Sequence, residues 1–239
     1  MRVHMTMQGK GGVGKSLIAG YLAQYYLDKK EDVLVVDTDP VNATLKSMPA
    51  LKAVGLELLD GNRLNPAAFD DLVEMILAHN GPVVVDNGAS CFIPLSNYLA
   101  ENPAVKALEE RNRTVTIHSV LTGGPSYLET LDGFAQIVEV MPETVRCAVW
   151  INEYFGPVVD GAGAPFEKLP LYDQTKGRIS AILRLPLQTP ETFGKDIRTM
   201  LERRQTFAEA IEDSRTRLMA KQRLQTTRQD VYAQLALVA

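Results

Sequence analysis

A glycine-rich segment near the start of the chain combines residue types that bind a nucleoside triphosphate. It has the pattern Gly-x-x-x-x-Gly-Lys-Ser and runs from Gly9 to Ser16. Glycines allow successive backbone N–H groups to turn inward around phosphate oxygens. Lys15 would then reach the β- and γ-phosphates, and the Ser16 hydroxyl would coordinate Mg²⁺. The segment therefore predicts a site for a triphosphate and its magnesium ion.

The predicted nucleotide contacts comprise this loop, the next helical residue and one amide at a strand end. They are Gly9, Lys10, Gly11, Gly12, Val13, Gly14, Lys15, Ser16, Leu17 and Asn152. The Asn152 amide can both donate to and accept from the edge of adenine. Guanine-reading sites use Asn-Lys-x-Asp, whereas Glu153, Tyr154 and Phe155 follow here. We therefore expect ATP rather than GTP, the alternative being that Asn152 only begins a turn.

Three aspartates follow apolar runs that are typical of strands, and they are candidate partners of the metal ion. Asp86 ends the run Pro-Val-Val-Val-Asp, while Asp37 and Asp39 follow Asp-Val-Leu-Val-Val. Because Mg²⁺ prefers oxygen ligands, we predict that Ser16, Asp37 and Asp86 bind it. Beside a triphosphate, Asp37 and Asp39 can hold metal-bound water and the attacking water. The alternatives are that Asp86 only caps the turn at Asn87-Gly88 and that the loop acids are solvated.

The elements that must position these residues alternate between apolar strands and helices. The pattern predicts strands over residues 3–7, 32–37, 82–86, 114–121, 145–151 and 178–185, and helices over 16–29 and 65–79. Continuous β-branched runs indicate burial on both faces, and the alternation indicates βαβ units. We expect one three-layer α/β domain over 1–239, with a mostly parallel, doubly wound sheet and helices on both faces. Its strand carboxyl ends would gather the site at one edge.

Two segments stand apart from this alternation. The glycine- and proline-rich stretch 157–170 is expected to be a flexible excursion, and a charged helical segment is expected over about 190–239. Basic residues cluster in the first half of the final helix, over 215–228. That cluster could contact DNA or an acidic membrane surface, the alternative being a packed helix with a solvated basic face. His4, His118 and Trp150 are predicted to be core residues.

Composition is that of an ordinary soluble protein. Apolar residues make up 46% of the chain and charged residues 23%, with a net charge of -4, so the molecule as a whole does not attract nucleic acid. Cys91 and Cys147 form no CxxC pair, which indicates two reduced thiols in a cytosolic protein. We expect neither a signal peptide nor a membrane span, because the sequence has no apolar stretch of the required length.

Lys10 gives the loop the form Lys-Gly-Gly-Val-Gly-Lys-Ser, which resembles the deviant Walker A loop of the ParA/MinD superfamily. The resemblance implies an ATP-dependent homodimer in which Lys10 reaches the partner subunit's nucleotide. It also implies that Asp39 positions the hydrolytic water and that Asp86 is the Walker B aspartate. The catalytic set implied is Lys10, Lys15 and Asp39, and residues 87–99 would form the second switch.

Longer stretches resemble the superfamily branch that mobilisable plasmids encode for conjugal transfer. They lie at 8–16, 37–44, 85–90, 121–124, 133–136 and 221–224. This implies a role in conjugation or plasmid positioning, with a partner protein from that apparatus. The commoner partition proteins carry glutamine and proline where Val41 and Asn87-Gly88 stand here, which leaves the switch mechanics open.

Two other functions fit the same loop. One is an ATP-dependent ligase or carboxylase, for which Cys91 is the candidate thiol. The other is an adaptor that uses nucleotide only to set its shape, against which the retained Asp39 and Asp86 argue. Slow hydrolysis that DNA or a partner protein stimulates would distinguish the switch from both.

Overall fold

The computed structural model describes residues 1–39, 42–56, 58–60, 63–65 and 67–239. Its strands are β1 (Arg2–Thr6), β2 (Leu34–Asp37), β3 (Val54–Gly55), β4 (Leu59–Asp60), β5 (Arg63–Leu64), β6 (Val83–Asp86), β7 (Thr114–Thr122), β8 (Arg146–Asn152) and β9 (Ile179–Leu185). Its helices are α1 (Lys15–Asp28), α2 (Ala68–Ala78), α3 (Phe92–Glu101), α4 (Ala104–Glu110), α5 (Tyr127–Val140), α6 (Pro170–Thr175), α7 (Phe193–Glu202), α8 (Phe207–Glu212) and α9 (Leu218–Leu235).

Within these residues, a parallel sheet has the order β3-β2-β6-β1-β7-β8-β9, and β4 and β5 form a small antiparallel hairpin. The predicted α/β fold with a parallel central sheet is confirmed. The six predicted strands are present, and the helix expected over 65–79 is the shorter α2. Parallel order aligns the carboxyl ends of β1, β2, β6 and β8 along one edge.

Two apolar cores lie on opposite faces of the sheet, because successive strand residues point to opposite sides. Val83 and Val85 face the core shared with α2 to α5, and Val84 faces the one shared with α1 and α7 to α9. Each large apolar side chain that is fully buried contributes roughly 1.5–3 kcal/mol. Packing in these two cores fixes the positions of the strands, and the site is built on the carboxyl ends of those strands.

The predicted core histidines form a buried chain of hydrogen bonds beneath that edge. The His4 Nδ1 lies 2.9 Å from the His118 Nε2, and its Nε2 lies 2.7 Å from the Tyr26 hydroxyl. The Trp150 Nε1 donates to the His118 Nδ1 at 3.0 Å. The chain ties β1, β7 and β8 to α1, and it confirms His4, His118 and Trp150 as core residues.

The segment 157–170 packs against the domain, which its composition did not predict. Asp160 Oδ1 accepts hydrogen bonds from the Ala162 and Ala164 N–H groups and so closes a tight turn. Phe166 is buried edge-on against Phe134. Aromatic burial outweighs the flexibility expected of its glycines and prolines.

The charged C-terminal segment forms α7, α8 and α9. Leu224, Val231 and Leu235 place α9 in the core, and two of its arginines form ion pairs within the chain. Arg223 lies 2.6 Å from Asp196, and Arg228 lies 3.6 Å from Asp28. Among the described residues, no helix has both the length and the apolar character needed to cross a bilayer.

Candidate functional site

The glycine loop connects β1 to α1 as the sequence predicted. Gly12 and Gly14 have φ angles of 76° and 104°, a region that L side chains rarely adopt, so glycine is required at both positions. No described side chain caps α1, and no acidic residue lies in its first turn. The positive end of the helix therefore faces the loop uncompensated, which favours an anion there.

Lys15 is folded into its own loop. Its side chain is almost fully buried, with 7% of the residue exposed, and the Nζ donates to the Lys10 carbonyl oxygen at 3.0 Å. Burial lowers the pKa of Lys15, and the nearby acidic groups of Asp86, Asp39 and Cys91 partly oppose that effect. A phosphate in the loop would supply the negative charge that this ammonium group lacks.

Asp86 lies beside Lys15 at the end of β6. Its Oδ1 accepts a hydrogen bond from the Thr6 hydroxyl at 2.8 Å, while its buried Oδ2 has no hydrogen-bond partner in the described part of the chain. Burial raises the pKa of Asp86 to about 6, although the Ser16 and Thr6 hydroxyls lower it. A buried carboxylate oxygen without a donor is a position that a cation would satisfy.

Ser16 and Asp86 fit the requirements of Mg²⁺, which takes one or two protein oxygens and completes its shell with phosphate and water. No cluster of three histidine, cysteine, aspartate or glutamate side chains in the described ranges could hold a metal ion alone. The metal would therefore bind here together with the nucleotide.

Asp37 holds the following loop in this structure. Its Oδ1 accepts from the Asp39 N–H at 3.2 Å, and its Oδ2 accepts from the Leu45 and Lys46 N–H groups at 2.9 and 3.1 Å. Burial raises the pKa of Asp37, and these three hydrogen bonds oppose the rise. Asp37 pairs with Asp86 in the sheet register, so both carboxylates stand at adjacent strand ends. Its role as a metal ligand remains a prediction.

Asp39 lies against the turn that follows Asp86. Its Oδ1 accepts from the Asn42 N–H at 3.0 Å. A Cβ atom added to Gly88 would lie 2.8 Å from the Asp39 Cγ, so the absence of a side chain at Gly88 permits this approach. Glycine at position 88, where the commoner partition proteins carry proline, thus has a steric reason. Val41, the other difference from those proteins, lies outside the described residues.

Asn87 connects the two loops, a role that the sequence did not reveal. Its Oδ1 accepts from the Thr38 hydroxyl at 2.9 Å, and its Nδ2 donates to the Thr6 carbonyl oxygen at 3.0 Å. The predicted second switch, residues 87–99, is largely α3. Only its start therefore contacts Thr38 and Asp39 as a loop.

Lys10 is directed away from its own loop. Its Nζ lies 2.6 Å from Glu129 Oε2 at the start of α5, and the two side chains are 39% and 58% exposed. The two lysines of the loop therefore face different environments, with Lys15 inside the loop and Lys10 at the surface.

Gln8 is a second residue whose role the sequence did not reveal. Its buried amide donates to the Val120 and Thr130 carbonyl oxygens at 3.0 and 2.9 Å, and its Oε1 accepts from the Gly9 N–H at 2.9 Å. The first glycine of the loop is thereby fixed to β7 and α5. Its position directly before the glycine pattern was the one available signal.

Asn152 supports the loop from β8. Its Nδ2 donates to the Val13 carbonyl oxygen at 2.8 Å, and its Oδ1 accepts from the Tyr154 N–H at 3.1 Å. It therefore does begin a turn, which was the alternative considered, and its contact with adenine remains a prediction. The side chain of Leu17 packs partly into the core, so the predicted contact there would use its backbone.

Cys91 is poorly placed for nucleophilic chemistry. Its thiol is buried and donates to the Thr38 carbonyl oxygen at 3.4 Å. Burial raises the pKa of this thiol, and only a thiolate is an effective nucleophile. The geometry therefore gives the ligase hypothesis no support from Cys91.

Comparison with known proteins agrees with this arrangement. Residues 4–158 match the family described as the CobQ/CobB/MinD/ParA nucleotide binding domain. Two Escherichia coli relatives, both called protein TraL, match over nearly their whole lengths. One is 44% identical over 98% of this chain and 97% of its own, and the other is 42% identical over 100% and 98%.

Solved structures show the same fold at low sequence identity. The MinD cell division protein of Aquifex aeolicus aligns with a TM-score of 0.56 and 16% identity, over 100% of this chain and 98% of its own. The MinC:MinD complex of the same organism gives a TM-score of 0.56 at 15% identity, over 100% and 97%.

Proposed function

The chain belongs to the CobQ/CobB/MinD/ParA nucleotide-binding family, and we propose that it is an ATP-hydrolysing dimeric switch acting in plasmid conjugal transfer or plasmid positioning. The full-length similarity to TraL proteins supports the conjugal role, because the superfamily branch that the sequence resembles serves conjugal transfer. A conjugation or partition protein would be its partner, and a bacterial cytoplasmic location remains a prediction.

The observation that carries this proposal is the opposite placement of the two loop lysines. Lys15 is enclosed by its own loop, where it can bind the phosphates of its own nucleotide. Lys10 lies at the surface against Glu129 and does not enter that loop. A second lysine on the exposed side of the loop is suited to the phosphates of another subunit.

In the proposed cycle, the loop N–H groups and Lys15 bind the triphosphate, and Asn152 orients the loop and contacts adenine. Ser16 and Asp86 would hold Mg²⁺, with Asp37 as a further predicted ligand, and the ion would neutralise charge on the β- and γ-phosphates. Asp39 orients the attacking water. Asp39 packs against Gly88, and the Thr38 hydroxyl is hydrogen-bonded to Asn87. A movement caused by loss of the γ-phosphate can therefore pass between the loop after β2 and the loop after β6.

Dimerisation completes the site. Lys10 of each subunit leaves Glu129 and contacts the phosphates bound by the other, in a charge-assisted interaction worth roughly 1.5–3 kcal/mol. ATP thereby favours the dimer, and hydrolysis weakens it again.

The test is size-exclusion chromatography with ADP and with a slowly hydrolysed ATP analogue, combined with an ATP turnover assay. We expect a dimer only with the analogue. Lys15→Ala should lose triphosphate binding, whereas Lys10→Ala should bind ATP but neither dimerise nor hydrolyse it. Lys106→Ala, at an exposed lysine of α4, is the control.

Two outcomes would overturn the proposal. A Lys10→Ala protein that hydrolyses ATP at the parental rate would disprove the role of Lys10 in the other subunit. ATP-dependent dimerisation without turnover, even with DNA or partner protein, would indicate the adaptor instead.

A further inference from the structure

The last residue of β1, Thr6, carries a buried hydroxyl beside the predicted metal ligands. Thr6 is fully buried and pairs with Asp86 in the sheet register, so the two side chains stand at adjacent strand ends on one face of the sheet. Valine has a similar shape and suits a buried strand equally well. Because a buried hydroxyl is unfavourable unless it is hydrogen-bonded, the reason for a threonine here lies in what the hydroxyl contacts.

The hydrogen bonds around Thr6 fix the direction in which its hydroxyl proton points. A hydroxyl group has one proton to donate and lone pairs that accept. The Asn87 backbone N–H donates to the Thr6 Oγ1 at 3.3 Å, and the Thr6 hydroxyl donates to the Asp86 Oδ1 at 2.8 Å. Since an N–H group can only donate, the hydroxyl proton of Thr6 is left for Asp86.

The Thr6 hydroxyl makes the two oxygens of Asp86 unequal. Oδ1 accepts from Thr6, whereas Oδ2 is buried and has no hydrogen-bond partner in the described part of the chain. The torsion that turns a carboxylate is broad, so an unrestrained aspartate would exchange the positions of its two oxygens. The bond from Thr6 selects one orientation, and the oxygen that stays free is thereby held in one place.

A second branch of this network reaches the loop after β2. The Asn87 Nδ2 donates to the Thr6 carbonyl oxygen at 3.0 Å, and its Oδ1 accepts from the Thr38 hydroxyl at 2.9 Å. Thr38 directly precedes Asp39, and its carbonyl oxygen accepts from the Cys91 thiol at 3.4 Å. Buried polar groups that satisfy one another in this way favour a single arrangement. The side chain of Asn87 thus connects β1 to the loop that carries Asp39.

We propose that Thr6 is a positioning residue for the carboxylate of Asp86, and that Asn87 is a separate positioning residue for the loop that carries Asp39. Thr6 then acts on the affinity for Mg²⁺, and Asn87 acts on hydrolysis. This inference rests on the proposed function, which assigns Asp86 to the metal ion and Asp39 to the attacking water. Removing a hydrogen-bond partner of a metal ligand typically lowers metal affinity or activity by about 10- to 100-fold.

The first test measures how nucleotide binding depends on Mg²⁺, without hydrolysis. Binding of a fluorescent, slowly hydrolysed ATP analogue is measured in EDTA and then across a Mg²⁺ titration. Thr6→Ala should bind the analogue in EDTA as the parent does, but it should need at least about tenfold more Mg²⁺ for the half-maximal effect. Thr6→Ser should need about as much Mg²⁺ as the parent, because these two variants lack the same methyl group and differ only in the hydroxyl.

Thr6→Val and Thr116→Val form a matched pair that controls for packing. Both replace a buried threonine with a residue of similar shape, but Thr116 lies earlier along its strand, in β7, where it pairs with His4. Thr6→Val should show the same increased requirement for Mg²⁺ as Thr6→Ala, and Thr116→Val should not. Thermal unfolding in EDTA establishes that each variant is folded, and either Thr6 variant suffices for the test if the other does not fold.

The second test separates Asn87 from Thr6. Asn87→Ala removes the side-chain bonds to Thr38 and to the Thr6 carbonyl oxygen, but it keeps the backbone N–H that orients the Thr6 hydroxyl. Its Mg²⁺ titration should follow that of the parent, whereas its ATP turnover at saturating Mg²⁺ should fall at least about tenfold. Asn102→Ala, at an exposed asparagine whose amide donates to the Tyr98 carbonyl oxygen, is the control.

The outcomes separate this inference from the proposed function. Equal Mg²⁺ requirements for Thr6→Ala and Thr6→Ser would overturn the role of Thr6, even in an active ATPase. Loss of analogue binding in EDTA by Thr6→Ala would also overturn it, because the hydroxyl would then support the phosphate loop itself. An increased Mg²⁺ requirement in Asn87→Ala as large as that in Thr6→Ala would overturn the division between the two residues. A parent protein that binds the analogue with Mg²⁺ but never hydrolyses ATP would overturn the proposed function and leave the titrations decisive for Thr6.

Discussion

At the scale of single residues, the site holds charged groups whose surroundings are less favourable without a ligand than they would be with a nucleotide and a metal ion bound. Asp86 is the clearest, with a buried carboxylate oxygen that has no donor among the described residues. Lys15 is a buried ammonium group with its pKa lowered. The nucleotide and its metal would bring the charges that both groups lack, so binding energy offsets an unfavourable arrangement already present in the fold.

Replacing Asp86 with asparagine should stabilise the ligand-free protein above pH 6. Burial raises the pKa of Asp86 from 3.8 to about 6 in the folded protein, so the folded state binds the carboxyl proton more tightly than the unfolded chain does. The stability that this protonation contributes is lost as the pH rises through 6. One pKa unit corresponds to about 1.4 kcal/mol, which gives roughly 3 kcal/mol at pH 8 and little difference near pH 4. Urea unfolding of both proteins at the two pH values, without Mg²⁺, measures this. A stability difference that is the same at both values would contradict the assignment.

Replacing Gly88 with alanine should slow hydrolysis and leave ATP affinity nearly unchanged. The added Cβ would displace Asp39, and a misplacement of about 1 Å can reduce a rate by up to 100-fold. Turnover and equilibrium binding are measured separately. Gly161→Ala is the control, because a Cβ there meets no atom within 4 Å. If the two variants turn over ATP equally, Asp39 is not positioned through Gly88.

Much of this site could be predicted at the residue scale, and the limits have physical causes. Phosphate loops and strand-end carboxylates are local patterns, so Gly9 to Ser16, Asp37 and Asp86 are recognisable in sequence. Gln8 and Asn87 act through bonds to residues more than 80 positions away. No local pattern reveals such contacts, because the fold alone brings these residues together.

At the scale of elements, α5 is the helix most directly connected to the nucleotide loop. Gln8 bonds to Thr130 in its first turn, and Gly133 in the next turn leaves the space that the Gln8 amide occupies. A movement of α5 would therefore displace Gly9, to which Gln8 is also bonded.

Replacing Gly133 with alanine should weaken nucleotide binding and destabilise the protein. A Cβ at this position would lie 2.0 Å from the Gln8 Oε1, which forces the amide out of place. Overpacking of this kind costs about 1–3 kcal/mol, although alanine normally stabilises a helix by about 1 kcal/mol relative to glycine. Thermal unfolding and ATP titration measure both effects, with Gly177→Ala as the control in open space. A Gly133→Ala protein more stable than the parent would show that Gln8 does not depend on this space.

Strands were easier to predict than helices in this chain. Buried parallel strands appear as continuous β-branched runs, and the observed β6 and β8 lie within one residue of their predicted bounds. Helix α3 follows a turn signal at Asn87-Gly88 and contains Pro94, and Pro103 directly precedes α4, so the apolar spacing of both helices is obscured. Packing against the sheet, rather than intrinsic propensity, determines these helices.

At the scale of the whole molecule, the sheet presents one functional edge. The loop after β1, both aspartate loops and the start of α5 all lie there. A twofold dimer formed through this edge would bring each Lys10 to the other subunit's loop. Such a dimer has two equivalent sites, and each uses residues of both chains.

Mixing two inactive variants should therefore restore activity. Lys10→Ala keeps its own phosphate loop but cannot complete its partner's site, whereas Lys15→Ala cannot hold ATP but still carries Lys10. Because neither variant is expected to dimerise with itself, the dimers in an equal mixture are mixed ones with one complete site of two, so recovery should reach at most about half of the parental turnover. ATP turnover of the mixture, compared with each variant alone, measures this. The double variant Lys10→Ala/Lys15→Ala, mixed with the Lys15→Ala protein, is the control that should remain inactive, because neither chain can hold ATP. If the first mixture is no more active than its separate components, each site is built from one chain, and Lys10 does not act on a neighbouring subunit.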